Sequence, residues 1–233
     1  MSWLQQNWAE VWGLFLTHAG MSAPPILLGL LIAVPLGWLA HRFRWGRGVL
    51  LTVAGLLYTI PSLALIVAMP LLLGTKILNP VNLIVALTLY AVALLVRTAA
   101  EAFDQVSPAV LDAATGMGYG PWRRFWGVQL PLAGPVILAG VRVVSSSTVS
   151  LVTLGALVGM SGLGYLFTDG TQRGFPTEIL IGIVGTVLIA LVFDVLIVAL
   201  GRLLMPWTRS RRRHTPSGHA PQAGVARAEA VTA

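Results

Sequence analysis

The chain has 233 residues, of which 56% are hydrophobic and only 10% are charged, and its formal net charge is +7 at pH 7. A soluble globular domain carries about 25% charged residues. Burying this much apolar surface in water would need a larger core than a chain of this length can build. Runs of about 20 apolar residues instead match the length at which a helix crosses a hydrocarbon layer. The composition therefore argues against a soluble helical protein and predicts an all-α, multi-spanning membrane protein.

The positive charge does not indicate nucleic acid as a partner. The basic residues lie in loops beside the apolar runs, which is what membrane topology predicts. The chain has no cysteine, so disulfides, thiolate metal sites and cysteine catalysis are excluded. The first 20 residues lack a basic region and a cleavage signature, and no removable signal peptide is expected.

Residues 1–20 contain three tryptophans and a phenylalanine but no lysine or arginine. This pattern favours an amphipathic, extracytoplasmic segment held at headgroup depth by aromatic rings. A contact surface for a partner subunit or a binding protein is the alternative. At the other end, residues 207–233 are rich in Arg, Pro and Ala, which predicts a disordered, basic cytoplasmic tail that contacts anionic lipid.

Between these ends, residues 21–206 form one membrane domain. Five apolar runs predict five membrane helices, with approximate bounds 21–40, 49–73, 80–100, 131–158 and 178–204. The loops after the first and third runs and the segment after the fifth are rich in arginine, whereas the other two loops hold only Lys76 and Arg173. Basic-rich loops stay in the cytoplasm. The amino terminus is therefore predicted outside, and the carboxyl terminus inside.

A polar and aromatic stretch at residues 108–131 lies between the third and fourth apolar runs, on the predicted cytoplasmic side. Pro108 predicts the start of a short helix. The glycines within 116–120 predict a sharp turn, because glycine tolerates positive φ. Pro121 predicts a second short helix, and Pro131 is expected to bend the chain into the fourth span. The stretch is therefore expected to form a stiff knob.

The spacing of seven residues in this stretch resembles the loop by which importer permeases of the ATP-binding-cassette class dock on their ATPase. That pattern reads Glu-Ala-Ala, three residues, Gly, nine residues, Ile, one residue, Leu-Pro. It is matched without a gap, with Asp for Glu and Val for Ile, by Asp112, Ala113, Ala114, Gly118, Val128, Leu130 and Pro131. The resemblance implies that these residues form an ATPase-coupling motif. It also implies that ATP and Mg bind a separate cytoplasmic ATPase, so no cofactor is expected on this chain, which has no Gly-x-x-x-x-Gly-Lys-Ser/Thr loop.

The wider chain resembles the osmoprotectant branch of these permeases, which serves glycine betaine, carnitine and choline. The resemblance covers about residues 25–205 and is carried by segments 58–65, 86–91, 130–142 and 162–164. It implies a second permease subunit, identical or related, and an extracytoplasmic substrate-binding protein. A sister branch that imports methionine shares much of the fold, so methionine or another amino-acid-like solute is the alternative.

Two charged residues fall within predicted spans, where charges are costly and often functional. Arg142 in the fourth span and Asp194 in the fifth lie at similar depths, about 12–15 Å from the predicted cytoplasmic side. We predict an intramembrane ion pair, although each could instead find a carbonyl or water. Such a pair either fixes helix packing or acts as a gate that breaks and re-forms.

Polar residues in the second and fourth spans are candidates for the lining of a solute pathway. The alternative for the hydroxyl residues of the fourth span is close helix packing. In the second span, an aromatic ring could contact a quaternary ammonium by a cation–π interaction, and a proline loosens the helix. The candidates are Tyr58, Thr59, Pro61, Ser62, Ser145, Ser146 and Thr148.

Two functions from other classes fit the sequence less well than a permease. An ion-coupled secondary carrier favours inverted repeats and paired broken helices, and five spans with one long loop do not divide that way. For an intramembrane enzyme, the four histidines are scattered and suggest no metal site, and no nucleophile lies at a fixed spacing from a base. The sequence therefore predicts a non-enzymatic transport subunit of the cell membrane.

Overall fold

The computed structural model describes residues 2–208, and these residues form helices without a strand. In chain order the elements are α1 (Ser2–Gln6), α2 (Trp8–Arg42), α3 (Arg44–Thr59), α4 (Ser62–Leu73), α5 (Pro80–Asp104), α6 (Pro108–Gly116), α7 (Pro121–Arg124), a π turn (Phe125–Gln129), α8 (Leu130–Val152), a 3₁₀ turn (Thr153–Val158), α9 (Gly164–Arg173) and α10 (Pro176–Leu204). The predicted all-α class is confirmed. The predicted tail lies outside the described residues from 209 onward.

Within residues 2–208, four helical segments are long and apolar enough to cross a membrane: α2, α5, the continuous run Pro121–Val158, and α10. A fifth span is present if α3 and α4, which are bent by 101° at their junction, are counted together. This agrees with the prediction of about five spans. We call the side that holds α6 and α7 the loop side, and the opposite side, which holds α9, the far side.

The first long helix differs from the prediction at its start. Helix α2 has 35 residues, which corresponds to about 52 Å at 1.5 Å per residue. Residues 8–20 are therefore continuous with the first predicted span in one helix, and because this helix is longer than the roughly 30 Å hydrocarbon core, their location at headgroup depth stays a prediction. Pro24, Pro25 and Pro35 also lie inside α2 and do not end it. The rings of Trp8, Trp12 and Phe15 stack along this part of α2 at centroid distances of 6.0 and 5.3 Å.

Helix α5 lies at the centre of the bundle, packed against α2, α3, α4 and α8. Its contact with α2 is close because glycines of α2 meet alanines of α5. A Cβ added at Gly29 would lie 2.5 Å from the Cβ of Ala91, and one added at Gly37 would lie 2.5 Å from that of Ala99. Small residues at such crossings let membrane helices pack backbone to backbone.

The second predicted span is broken between α3 and α4. Pro61 has no N–H to continue a helix, and it disfavours the helical conformation of the residue before it. Ile60 accordingly has an extended backbone, with φ −63° and ψ 130°. The hydroxyl of Tyr90 in α5 donates a hydrogen bond to the Ile60 carbonyl. The sequence predicted a loosened helix at Pro61, whereas the structure has two helices with the break held by α5.

Candidate functional site

The predicted knob is a short helix, a glycine turn and a second helical turn. Helix α6 ends at Gly116, and the chain reverses at Gly118, whose φ is +83°. The backbone N–H of Tyr119 donates to the carbonyl of Ala114 at 3.0 Å. The predicted turn is confirmed, and Gly118 is the glycine that supplies the positive φ.

The knob is braced internally by its two arginines. Arg124 Nη1 donates to the hydroxyl of Thr115 at 2.8 Å, which ties α7 to α6. The guanidinium carbon of Arg123 lies 4.7 Å from the centroid of the Tyr119 ring, within the range of a cation–π contact. These contacts hold α6 and α7 as one unit.

The seven motif residues divide by exposure. Asp112, Ala113 and Gly118 are exposed, and beside them lie Met117 and Trp122, which are also exposed. The other four motif residues are buried or half-buried, namely Ala114, Val128, Leu130 and Pro131. The exposed part is suited to contact another protein, and the rest holds the knob to the bundle.

A π turn joins the knob to α8. Pro131 does not bend the chain as predicted: it is the second residue of α8 and lies within the continuous helical run Pro121–Val158. Irregularity occurs instead at Phe125–Gln129. The buried ring of Phe125 lies 5.2 Å from the Trp38 ring of α2 and 5.9 Å from the Phe103 ring of α5. The base of the knob is therefore packed against α2 and α5.

The candidate lining residues of α8 point in different directions. Ser146 is exposed, whereas Ser145 and Thr148 are 1% and 3% exposed and lie inside the subunit. In this structure Ser145 and Thr148 therefore do not face the open surface on which Ser146 lies, and their role in lining the pathway stays a prediction. The reason is helical rotation, since residues one apart are turned by about 100°.

The candidates of the second predicted span surround the break between α3 and α4. Tyr58, Thr59 and Pro61 are exposed, and Ser62 is half-buried. The Tyr58 ring lies 5.9 Å from the Tyr90 ring, close to edge-on. Tyr90 was not identified from the sequence. Its hydrogen-bond partner is the Ile60 carbonyl, 30 residues away, and this carbonyl is free only because the chain breaks between α3 and α4.

Arg142 and Asp194 form a bidentate ion pair. Arg142 Nε donates to Asp194 Oδ1 at 2.6 Å, and Nη2 donates to Oδ2 at 2.9 Å. The two side chains are 47% and 28% exposed. They border a cavity of about 400 Å³ that is also lined by Ser146 and Ser147. The structure thus brings the two predicted partners together on an open face between α8 and α10.

A second cavity, of about 610 Å³, lies on the far side between α2, the 3₁₀ turn and α9. Its polar lining includes Glu10, Tyr165 and Asp169. Asp169 pairs with Arg173 at 2.9 Å and accepts a 3.4 Å hydrogen bond from Tyr165. The Asp169 carboxylate raises the pKa of the Tyr165 hydroxyl above its ordinary value. Residues 2–208 hold no group of three or more acidic or histidine side chains arranged to bind a metal.

Similarity to known proteins extends over most of the chain. Residues 25–210 match the family described as binding-protein-dependent transport system inner membrane component. The chain is 32% identical over 206 residues to the choline transport system permease protein OpuBB of Bacillus subtilis, covering 88% of this chain and 94% of that protein. It is 33% identical over 192 residues to the osmoprotectant import permease protein OsmW of Salmonella typhimurium, covering 81% and 89%.

The fold is also that of a solved structure. The chain is similar to a subunit of the MetNI methionine ABC transporter in an inward-facing conformation, with a TM-score of 0.67, 22% identity, and coverage of 81% of this chain and 95% of that chain. At this identity the likeness concerns the fold. Together, the helical bundle, the knob and the match over residues 25–210 show that the chain belongs to the family of binding-protein-dependent transport system inner membrane components.

Proposed function

We propose that this chain forms the translocation pathway for an osmoprotectant such as glycine betaine, choline or carnitine, as a permease subunit of an ATP-binding-cassette importer. Its partners are a cytoplasmic ATPase pair that binds ATP and Mg, a second permease subunit and an extracytoplasmic substrate-binding protein. The amino terminus lies outside, and the loop side faces the cytoplasm.

The observation that carries the proposal is the similarity to permeases whose names specify choline and osmoprotectants, over more than 80% of the chain. The coupling motif adds support, because Asp112, Ala113 and Gly118 are exposed on a knob that protrudes from the bundle. The small residues Ala113 and Gly118 allow a partner surface to approach closely, and the Asp112 carboxylate can pair with a positive charge on that surface.

The proposed coupling is mechanical. The ATPase pair closes on ATP and displaces α6, and the internal bracing by Arg124 makes α7 follow. The displacement then passes through the π turn to Trp38 and Phe103, which belong to α2 and α5. Because α5 packs against four other helices, this route reaches the walls of the pathway.

The test is reconstitution of the complex in proteoliposomes with ATP inside and binding protein outside. Uptake of labelled glycine betaine, choline or carnitine is expected only when both ATP and binding protein are present. Methionine is the competing solute in a parallel reaction. Uptake of methionine without uptake of any quaternary ammonium solute would overturn the substrate assignment.

Reversal of charge at Asp112 (Asp112→Arg) is expected to lower uptake per ATP hydrolysed, and unchanged uptake per ATP would contradict the proposed docking role.

A further inference from the structure

The Arg142–Asp194 pair lies near the middle of the membrane and yet is open. Arg142 is twelve residues beyond the start of α8 at Leu130, which corresponds to about 18 Å along the helix. Asp194 is ten residues before the end of α10 at Leu204, or about 15 Å. Charges at that depth are costly against lipid, so a face that exposes 47% of an arginine side chain is expected to line water or contact protein.

Three of the N–H donors of Arg142 are not used by the pair. An arginine has five N–H donors in a planar fork. Asp194 takes one from Nε and one from Nη2, which occupies one edge of the fork. Within the described chain, the edge formed by Nη1 and the second hydrogen of Nη2 has no acceptor. This edge has the geometry that binds a second carboxylate with two parallel hydrogen bonds.

The open face of α8 changes character at Arg142. Toward the loop side, its exposed residues are apolar, namely Leu132, Pro135 and Ala139. From the middle toward the far side, Arg142, Ser146 and Ser150 are exposed at intervals of four residues, and Val143 is the apolar residue exposed beside Arg142. The polar half leads to the 3₁₀ turn, whose Ala156 and Leu157 border the 610 Å³ cavity. The exposed polar residues of α8 therefore extend from its far-side end to the ion pair near the middle of the helix.

We propose that the free edge of Arg142 binds the carboxylate of a zwitterionic quaternary ammonium solute midway through the membrane, with Asp194 as the positioning residue. This inference rests on the proposed function and narrows its substrate class to solutes that carry a carboxylate. The pair has no net charge and neither does the solute, so the complex leaves no uncompensated charge in a medium of low polarity. Choline carries no carboxylate that could accept two parallel hydrogen bonds from Arg142, so this site is expected to favour the zwitterionic solutes over it.

The experiment compares two solutes in the same proteoliposomes. Initial uptake of glycine betaine and choline is measured for the complete complex with wild-type permease, with Arg142→Gln, and with the double variant Arg142→Gln/Asp194→Asn. In the double variant, the two introduced amide side chains are similar in shape to the residues they replace and can hydrogen-bond to each other. It is therefore used if the single change leaves Asp194 unpaired and prevents assembly of the complex. Arg173→Gln, which removes the arginine of the Asp169 pair on the far side, is the matched control.

The ratio of glycine betaine uptake to choline uptake decides the outcome, because it does not depend on the amount of active complex. It is expected to fall about 10-fold in both Arg142 variants and to stay at the wild-type value in the control. An unchanged ratio, with both solutes lost equally, would assign the pair a packing role and overturn the proposal.

The proposal can also be tested if the wild-type complex transports only one of the two classes of solute. Transport of choline alone overturns the proposal without affecting the broader assignment to quaternary ammonium solutes. With carboxylate-bearing solutes alone, the Arg142 variants are expected to raise KM for uptake about 10-fold, and an unchanged KM would overturn the proposal. Absence of quaternary ammonium uptake in the wild type would be a failure of the proposed function itself.

Discussion

The indole Nε1 of Trp38 donates a hydrogen bond of 3.0 Å to Gln129 Oε1, across 91 residues of sequence. Gln129 is buried and is the last residue of the π turn, and Trp38 lies near the loop-side end of α2. The bond therefore ties the base of the knob to a different membrane helix. Single π turns occur frequently at functional sites, and this one lies where the knob meets α8.

Replacement of Gln129 by leucine is expected to weaken coupling. The change keeps the volume but leaves the indole N–H of Trp38 without its acceptor, at a cost of about 1–3 kcal/mol. We expect fewer solute molecules transported per ATP hydrolysed, measured in proteoliposomes, together with lower thermal stability. Gln105→Leu, an exposed glutamine just after α5, is the control. Lower stability with an unchanged transport ratio would show that the bond is structural only.

Two glycines of the knob are expected to respond differently to alanine. Gly118 has φ +83°, where an L side chain is strained by about 1–2 kcal/mol. Gly116 is helical, and an added Cβ meets nothing within 4 Å. Gly118→Ala should lower the affinity of the permease for its ATPase, and Gly116→Ala should leave it unchanged, as measured by co-purification and titration in detergent. Equal affinities would mean that the turn does not shape the docking surface.

The crossing of α2 and α5 provides a test of the fold. Gly37→Ala places a Cβ 2.5 Å from that of Ala99 and 2.9 Å from the backbone nitrogen of Ala100, so the helices must separate. Overpacking of this kind costs about 1–3 kcal/mol. Gly20→Ala in the same helix meets nothing within 4 Å and is the control. The expected result is a lower midpoint of unfolding in a denaturing-detergent titration for Gly37→Ala alone.

The break between α3 and α4 is expected to depend on the hydroxyl of Tyr90. Tyr90→Phe removes the donor to the Ile60 carbonyl and should lower the free energy of unfolding by about 1 kcal/mol. Tyr58→Phe is the matched control, because Tyr58 belongs to the same ring pair and its hydroxyl has no hydrogen-bond partner within residues 2–208. If both variants unfold at the same midpoint, the hydrogen bond does not stabilise the break.

Much of the architecture could be predicted from the sequence, because a bilayer restricts the possible structures. A helix must satisfy its own backbone hydrogen bonds in hydrocarbon, so two of the apolar runs predicted their helices closely: 80–100 against the observed Pro80–Asp104, and 178–204 against Pro176–Leu204. The turn at Gly118 followed equally well from local chemistry, since glycine favours a positive φ. The predicted depths of Arg142 and Asp194 were enough to suggest their pairing.

Tertiary structure alone decided where side chains face and which distant residues meet. Ser145 and Ser146 are chain neighbours with the same chemistry, yet one is buried and the other lies on the open face, because the rotation of α8 is set by its packing against α5, α2 and α10. The bond from Trp38 to Gln129 and the hydroxyl of Tyr90 on Ile60 likewise join residues distant in sequence. A pattern along one helix cannot specify such contacts, since they depend on how two helices are rotated and translated against each other.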